Sequence, residues 1–132
     1  MPKAYHDDRI TQQWSKHIDR EGFMRIMRVK QHFLDLIRKG DKTLEVRVGY
    51  SAIKSIQPGE RINLMSRADH QIIRVLDVRT YQSFDEMFNF EQSERIVPGM
   101  SFDETKKLLK EIYPPEKEKL GIIVLEITPE RN

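Results

Sequence analysis

The sequence predicts a small α+β domain built on a curled sheet, and three observations carry that prediction. Short apolar stretches of strand length recur along the chain, one amphipathic helix comes early and another late, and the strand–helix–strand unit of a doubly wound parallel sheet is not repeated. At 132 residues, 38% apolar and 33% charged, the chain has the size and balance of one domain. Residues 1–22 read as an N-terminal arm and residues 23–132 as the domain proper.

In the arm, Ile10, Trp14 and Ile18 fall at helical spacing and Glu21-Gly22 closes the segment, which predicts a short helix. Met24 to Val29 is strand-like with imperfect alternation. Lys30 to Lys39 follows as a helix that clusters Phe33, Leu34, Leu36 and Ile37 on its buried side, and Gly40 suits the left-handed position that ends it.

Lys42 to Val48 is the next strand. Thr43, Glu45 and Arg47 alternate with Leu44, Val46 and Val48, so one face is expected to pack and the other to meet solvent or a ligand. Gly49 to Ile56 holds one helical turn, and Gln57-Pro58-Gly59-Glu60 is a tight turn by composition. Arg61 to Ser66 and Gln71 to Tyr81 form a hairpin joined across Arg67 to His70, with Ile62, Leu64, Ile73, Val75 and Val78 supplying its apolar faces.

Two capping boxes follow, Ser83-Phe84-Asp85-Glu86 and Ser101-Phe102-Asp103-Glu104, in which a Ser caps a helix and a Glu three residues on reaches back. The second opens the late helix, with Phe102, Leu108, Leu109 and Ile112 directed inward, and Tyr113-Pro114-Pro115 stops it. Gly121 to Ile127 is a closing strand, whose Ile122-Ile123-Val124-Leu125 run implies burial on both faces.

Composition narrows the function. The absence of cysteine excludes disulfides, thiolate metal sites and cysteine nucleophiles. No apolar run approaches the roughly 20 residues a membrane crossing needs, and Met1 to Tyr5 runs into polar sequence without a leader, so a cytoplasmic protein is expected. The net charge of +2 conceals 16 basic and 10 acidic residues in positions 1–80, against 7 and 11 in 81–132, a polarity suited to an anionic partner or simply to a mixed solvated surface. There is no glycine-rich phosphate loop, paired-histidine helix or nucleophile elbow, and His6, His17, His32 and His70 are scattered, so neither a metal nor another cofactor is expected.

The segment Gly40-x-Lys42-Thr43-x-Glu45-x-Arg47 after a helix, followed by Pro58-Gly59-Glu60-Arg61-Ile62 before a strand, resembles the ASCH domain of the PUA-like superfamily over about residues 24–128. Lys30, Phe33, Ile37 and the closing strand belong to the same resemblance. It implies a small PUA-like β-barrel with two main helices and a basic cleft beside the motif, suited to RNA or a nucleotide-like ligand.

The side chains fit that implication. Arg47 offers a planar fork for phosphate or a base edge, Lys42 a point charge, and Glu45 an acceptor for an exocyclic amine. From spacing alone, Glu45 and Arg47 equally describe an exposed ion pair. Lys30, Ser66, Arg67 and Tyr113 join the candidate ligand-binding set, Tyr113 by stacking. Gly99-Met100-Ser101, ahead of the late helix, is an anion-site candidate or a plain cap.

Some bacterial ASCH members are amidohydrolases that remove the acetyl group from N4-acetylcytidine, using the motif lysine, a threonine three residues later and a glutamate before the late helix. Here Lys42 matches, Glu45 occupies the threonine position, and the glutamate position falls on Pro98, with Thr43, Glu94 and Glu45 as possible substitutes. The resemblance therefore implies binding of RNA or a nucleoside-type ligand first. Catalysis, with Lys42 and Glu45 as its candidates, comes second. A protein-interaction module using the arm around Trp14 is the third class.

Overall fold

A computed structural model describes the backbone of residues 18, 19, 22 and 23 and all of residues 24–131. The helical arm expected over residues 1–22 lies for the most part outside these residues. Where it overlaps them, at its end, the chain is extended instead: β1 (Ile18–Asp19) pairs antiparallel with β2 (Gly22–Phe23).

The main sheet begins with β3 (Arg25–Arg28), whose Arg25, Met27 and Val29 side point inward. Helix α1 (Gln31–Lys39) follows and buries Leu34 and Ile37. It ends at Gly40, where φ is 87° and the glycine N–H bonds back to the helix, so the left-handed residue expected from sequence is present.

Next come β4 (Leu44–Val48), the single turn α2 (Ser51–Lys54), the turn at Gly59 (φ 92°) and β5 (Arg61–Ser66). The hairpin to β6 (Asp69–Tyr81) is tighter than its composition suggests. Ser66 faces Asp69, leaving Arg67 and Ala68 as a two-residue loop in which Arg67 takes φ 55°.

Short helices α3 (Phe84–Met87) and α4 (Ser93–Ile96) precede the long α5 (Phe102–Ile112). The short α6 (Pro115–Glu118) leads into β7 (Ile122–Pro129). Both expected serine caps are made. The Ser101–Glu104 box is reciprocal, whereas Glu86 returns its carboxylate to the Gln82 N–H, one residue before the cap. Contrary to the inward direction expected for it, Phe102 is 46% exposed, and its ring lies edge-on to that of Phe88 with centres 4.9 Å apart.

The five long strands form one mixed sheet in the order β3-β5-β6-β7-β4, parallel between β3 and β5 and antiparallel elsewhere. It is a half-barrel with β3 and β4 as its edges, and the fold is α+β. One face of the sheet, with α1 and the turn of α2, encloses one core built on Met27, Leu34, Ile37, Ile53, Ile62, Leu64, Ile73 and Leu125. A second core, with Leu44, Val48, Phe84, Met87, Leu109 and Ile122, lies between β4, β7 and the layer of α3, α4 and α5. Strand β7 contributes to both, as its unbroken apolar run requires.

Candidate functional site

Strand β4 divides the two cores, so both of its faces are buried. This corrects the expectation that one face meets solvent: Glu45 is 6% exposed and Arg47 0%, beside Leu44, Val46 and Val48. Buried charges persist only when paired and hydrogen-bonded. Arg47 Nε donates to Glu45 Oε2 at 2.7 Å, and Arg47 Nη2 donates to the Arg28 carbonyl at 2.7 Å. The pair is a buried one and not the exposed alternative.

Lys42 enters from the turn after α1. Its ammonium donates to the Leu44 carbonyl at 2.6 Å and the Ile96 carbonyl at 2.7 Å, lies 3.3 Å from Glu45 Oε1, and sits 5.4 Å from the centre of the Phe33 ring. Glu45 thus bridges the two cations with its two oxygens. Burial pushes the Lys42 amine below the ordinary lysine value; Glu45 opposes this and Arg47 adds to it.

Lys42 and Glu45 lie in the wall of a cavity between β4, α1, α4 and α5. Phe33, Val46, Ile96, Val97, Leu108, Leu109, Ile112 and Tyr113 complete it. The cavity holds about 30 Å³, room for about two or three waters, within a concavity of about 360 Å³ that opens to solvent. A basic cleft was expected; the lining instead sets one lysine against one glutamate among apolar and aromatic groups.

The other expected residues divide. Tyr113 is 3% exposed and lines the cavity. Arg47 lies behind Glu45, outside the lining, and acts on the cavity through that carboxylate. Lys30 and Arg67 are exposed and Ser66 is buried; none of the three lines the cavity. The Val29 N–H donates to the Met65 carbonyl, so Lys30 and Ser66 follow one another at adjoining strand ends, close to where Arg47 reaches Arg28.

Of the possible substitutes for the hydrolytic set, Thr43 accepts a hydrogen bond from Arg95 Nε at 2.8 Å, and Glu94 accepts one from the Gly99 N–H at 3.1 Å. Neither lines the cavity. Among the described residues no three His, Cys, Asp or Glu side chains gather as metal ligands, and no helix is long and apolar enough to cross a membrane.

Residues without any mark in the sequence complete the surroundings. Arg79 pairs with both oxygens of Glu91, at 2.6 and 2.9 Å, and with Asp77 and Glu126, each at 2.8 Å. Arg95 meets the second oxygen of Glu126 at 3.0 Å. Tyr81 donates to Glu91 at 2.5 Å; burial and that carboxylate push its phenol up to about 12. Asp77 is a near neighbour of Arg79 on the same strand, but the other partners come from separate elements, and no local spacing marks them.

The fold recurs in solved proteins. The crystal structure of the hypothetical protein PH0355 superposes with a TM-score of 0.73 at 31% identity, covering 80% of this chain and 97% of that one. The solution structure of protein PF0455 from Pyrococcus furiosus gives 0.67 at 32%, covering 81% and 97%. No curated protein matches the chain. The family model of the ASCH domain matches residues 27–131, the span that holds the half-barrel, the Lys42–Glu45–Arg47 cluster and the cavity, and the chain belongs to the ASCH domain family.

Proposed function

We propose that this protein binds RNA or a nucleotide-type ligand by one base, seated at the mouth of the cavity beside Lys42 and Glu45. The observation that carries the reading is the composition of that wall. A buried ammonium and a buried carboxylate 3.3 Å apart face a space bounded by Phe33 and Tyr113. A base edge needs a donor and an acceptor at fixed positions, and its faces need apolar or aromatic walls. With room inside for only two or three waters, the ligand presents an edge or an exocyclic group to the interior and does not lie wholly within it. Arg47 orients Glu45, and Lys30 and Arg67 remain candidates for a phosphate further along the chain of a polymeric ligand.

Titration of nucleosides, mononucleotides and short RNAs at two salt concentrations tests this. Binding that weakens at least tenfold in Lys42→Ala and in Glu45→Gln is expected, about the loss of one charged hydrogen bond. Equal affinity in wild type and Lys42→Ala removes the reading. A salt-sensitive preference for RNA over nucleoside assigns a polymer, and its absence assigns a monomer.

One observation favours a second reading, amide hydrolysis of an acetylated nucleoside. Burial lowers the basicity of Lys42, and an amine that loses its proton more readily is better fitted to take one from water. Release of acetate from N4-acetylcytidine, abolished in Lys42→Ala, would establish it; intact substrate after hours with micromolar enzyme would exclude it.

A further inference from the structure

We propose that Arg95 is the positioning residue for Lys42, clasping α4 to the Lys42-Thr43 turn so that the Ile96 carbonyl holds the ammonium at the cavity wall. The proposal rests on the reading that Lys42 meets the ligand. Its geometric basis is a two-point contact between residues 52 positions apart: the Thr43 N–H donates to the Arg95 carbonyl at 3.1 Å, and Arg95 Nε donates to Thr43 Oγ1 at 2.8 Å. One residue along from each, Lys42 Nζ donates to the Ile96 carbonyl at 2.7 Å. The clasp and the lysine contact are consecutive rungs between the same two segments.

Helix α4 needs such a clasp. It is a single turn, too short to persist on its own hydrogen bonds, and with Val97 it supplies part of the cavity wall through Ile96. Arg95 holds it in two directions at once, Nε to Thr43 and Nη2 to Glu126 of β7. Glu126 passes the restraint to Arg79, whose grip on Glu91 fixes the segment entering α4. A planar fork makes two such contacts; a lysine, with one point of charge, does not.

The arrangement separates positioning from stability. The Arg95 side chain is 36% exposed, and an ion pair in that setting adds little to the stability of a fold. The location of the Ile96 carbonyl, by contrast, sets how many acceptors surround Lys42 and how well water is excluded from it. The groups facing that ammonium are Glu45 and the Leu44 carbonyl from β4, with Arg47 behind Glu45, the Phe33 ring from α1 and the Ile96 carbonyl from α4; Tyr113, just past α5, lines the same cavity.

The test is carried out without ligand. The Lys42 side-chain nitrogen is followed by NMR across pH in ¹⁵N-lysine-labelled wild type, Arg95→Leu, Arg95→Lys and Thr43→Val, with amide exchange at Thr43 and melting temperature alongside. In Arg95→Leu the melting temperature stays near that of wild type. Lys42 titrates closer to the ordinary lysine range as water reaches it, and Thr43 exchanges about tenfold faster through local opening. Arg95→Lys falls between the two. Unchanged titration and exchange in a folded Arg95→Leu overturn the proposal, as does a lowered melting temperature with both unchanged. Should Arg95→Leu not fold, Thr43→Val decides on the same criteria. If Lys42→Ala keeps full affinity for nucleoside while the titration shifts as stated, the ligand reading fails and the clasp stands.

Discussion

Arg47 donates its Nη2 to the main-chain carbonyl of Arg28 at 2.7 Å, and these two residues belong to β4 and β3, the two edges of the half-barrel. The strands share no ladder, and a side chain does what main-chain pairing does elsewhere in the sheet. The same guanidinium holds one oxygen of Glu45, so one residue both links the two edge strands and helps place the cavity carboxylate.

Arg47→Leu should therefore lower stability by about 3–5 kcal/mol, because it leaves Glu45 buried with one cation in place of two. Arg47→Lys should recover only part of the loss, since a point charge does not reach Glu45 and Arg28 together. Urea unfolding of the three proteins measures this, and a change below 1 kcal/mol in Arg47→Leu would show that the bridge is dispensable.

Gly49→Ala should cost about 1–3 kcal/mol through overpacking. A Cβ there would run into the Leu120 carbonyl oxygen, a main-chain atom that cannot swing aside, and would lie 2.9 Å from Lys54 Cε. Thermal unfolding is the measurement, with Gly40→Ala as a contrast. Gly40 has open space around it, and its cost comes only from φ 87°.

Asp69 predicts a pH effect. Hydrogen bonds from Arg38 and then Gln31 hold its carboxyl down to about 2. A carboxylate depressed in the folded state contributes stability that is full above its unfolded value, near 3.9, and is lost as pH falls through about 2. Wild type should thus lose more in melting temperature than Asp69→Asn between pH 5 and pH 2; equal slopes would count against the contact.

Ser101→Ala should destabilise by about 0.5–2 kcal/mol, since it removes the side-chain acceptor of a reciprocal box at the start of α5. Because α5 carries Leu108, Leu109 and Ile112 of the cavity wall and ends at Tyr113, amide exchange in its first turn should accelerate ahead of any change in the sheet.

Local signals were readable where one residue's conformation is set by its neighbours. Gly40, the Pro58-Gly59 turn, the serine caps and the two-faced burial of β7 follow from short-range chemistry and stand as expected, as does the hairpin over 61–81 apart from a loop of two residues in place of four. The alternation in β4 misled for a physical reason. Charged residues at every second position normally mean solvent, yet inside the fold Glu45 and Arg47 pair with each other, Arg47 reaches the Arg28 carbonyl and Glu45 meets Lys42.

Helix α4 carried no sequence signal. Its position depends on Thr43, Lys42 and Glu126, which fall on other elements. Likewise the family pattern groups Arg47 and Lys30 with Lys42, and a strand-end position adds Arg67, but only contacts across the fold separate the residues that line the cavity from those that do not.

The sheet order also fixes when the motif takes shape. Strand β4 has its ladder with β7 alone among the described strands, and Leu44 faces Glu126, 82 positions later. A nascent chain emerging from the ribosome can complete α1 and the 61–81 hairpin from nearby partners, but the strand that bears Glu45 and Arg47 has no neighbour to join until residues 122–129 have been made. The buried Lys42–Glu45–Arg47 cluster is thus a property of the nearly finished polypeptide, and a synthesis product halted before β7 carries the full motif without its cavity.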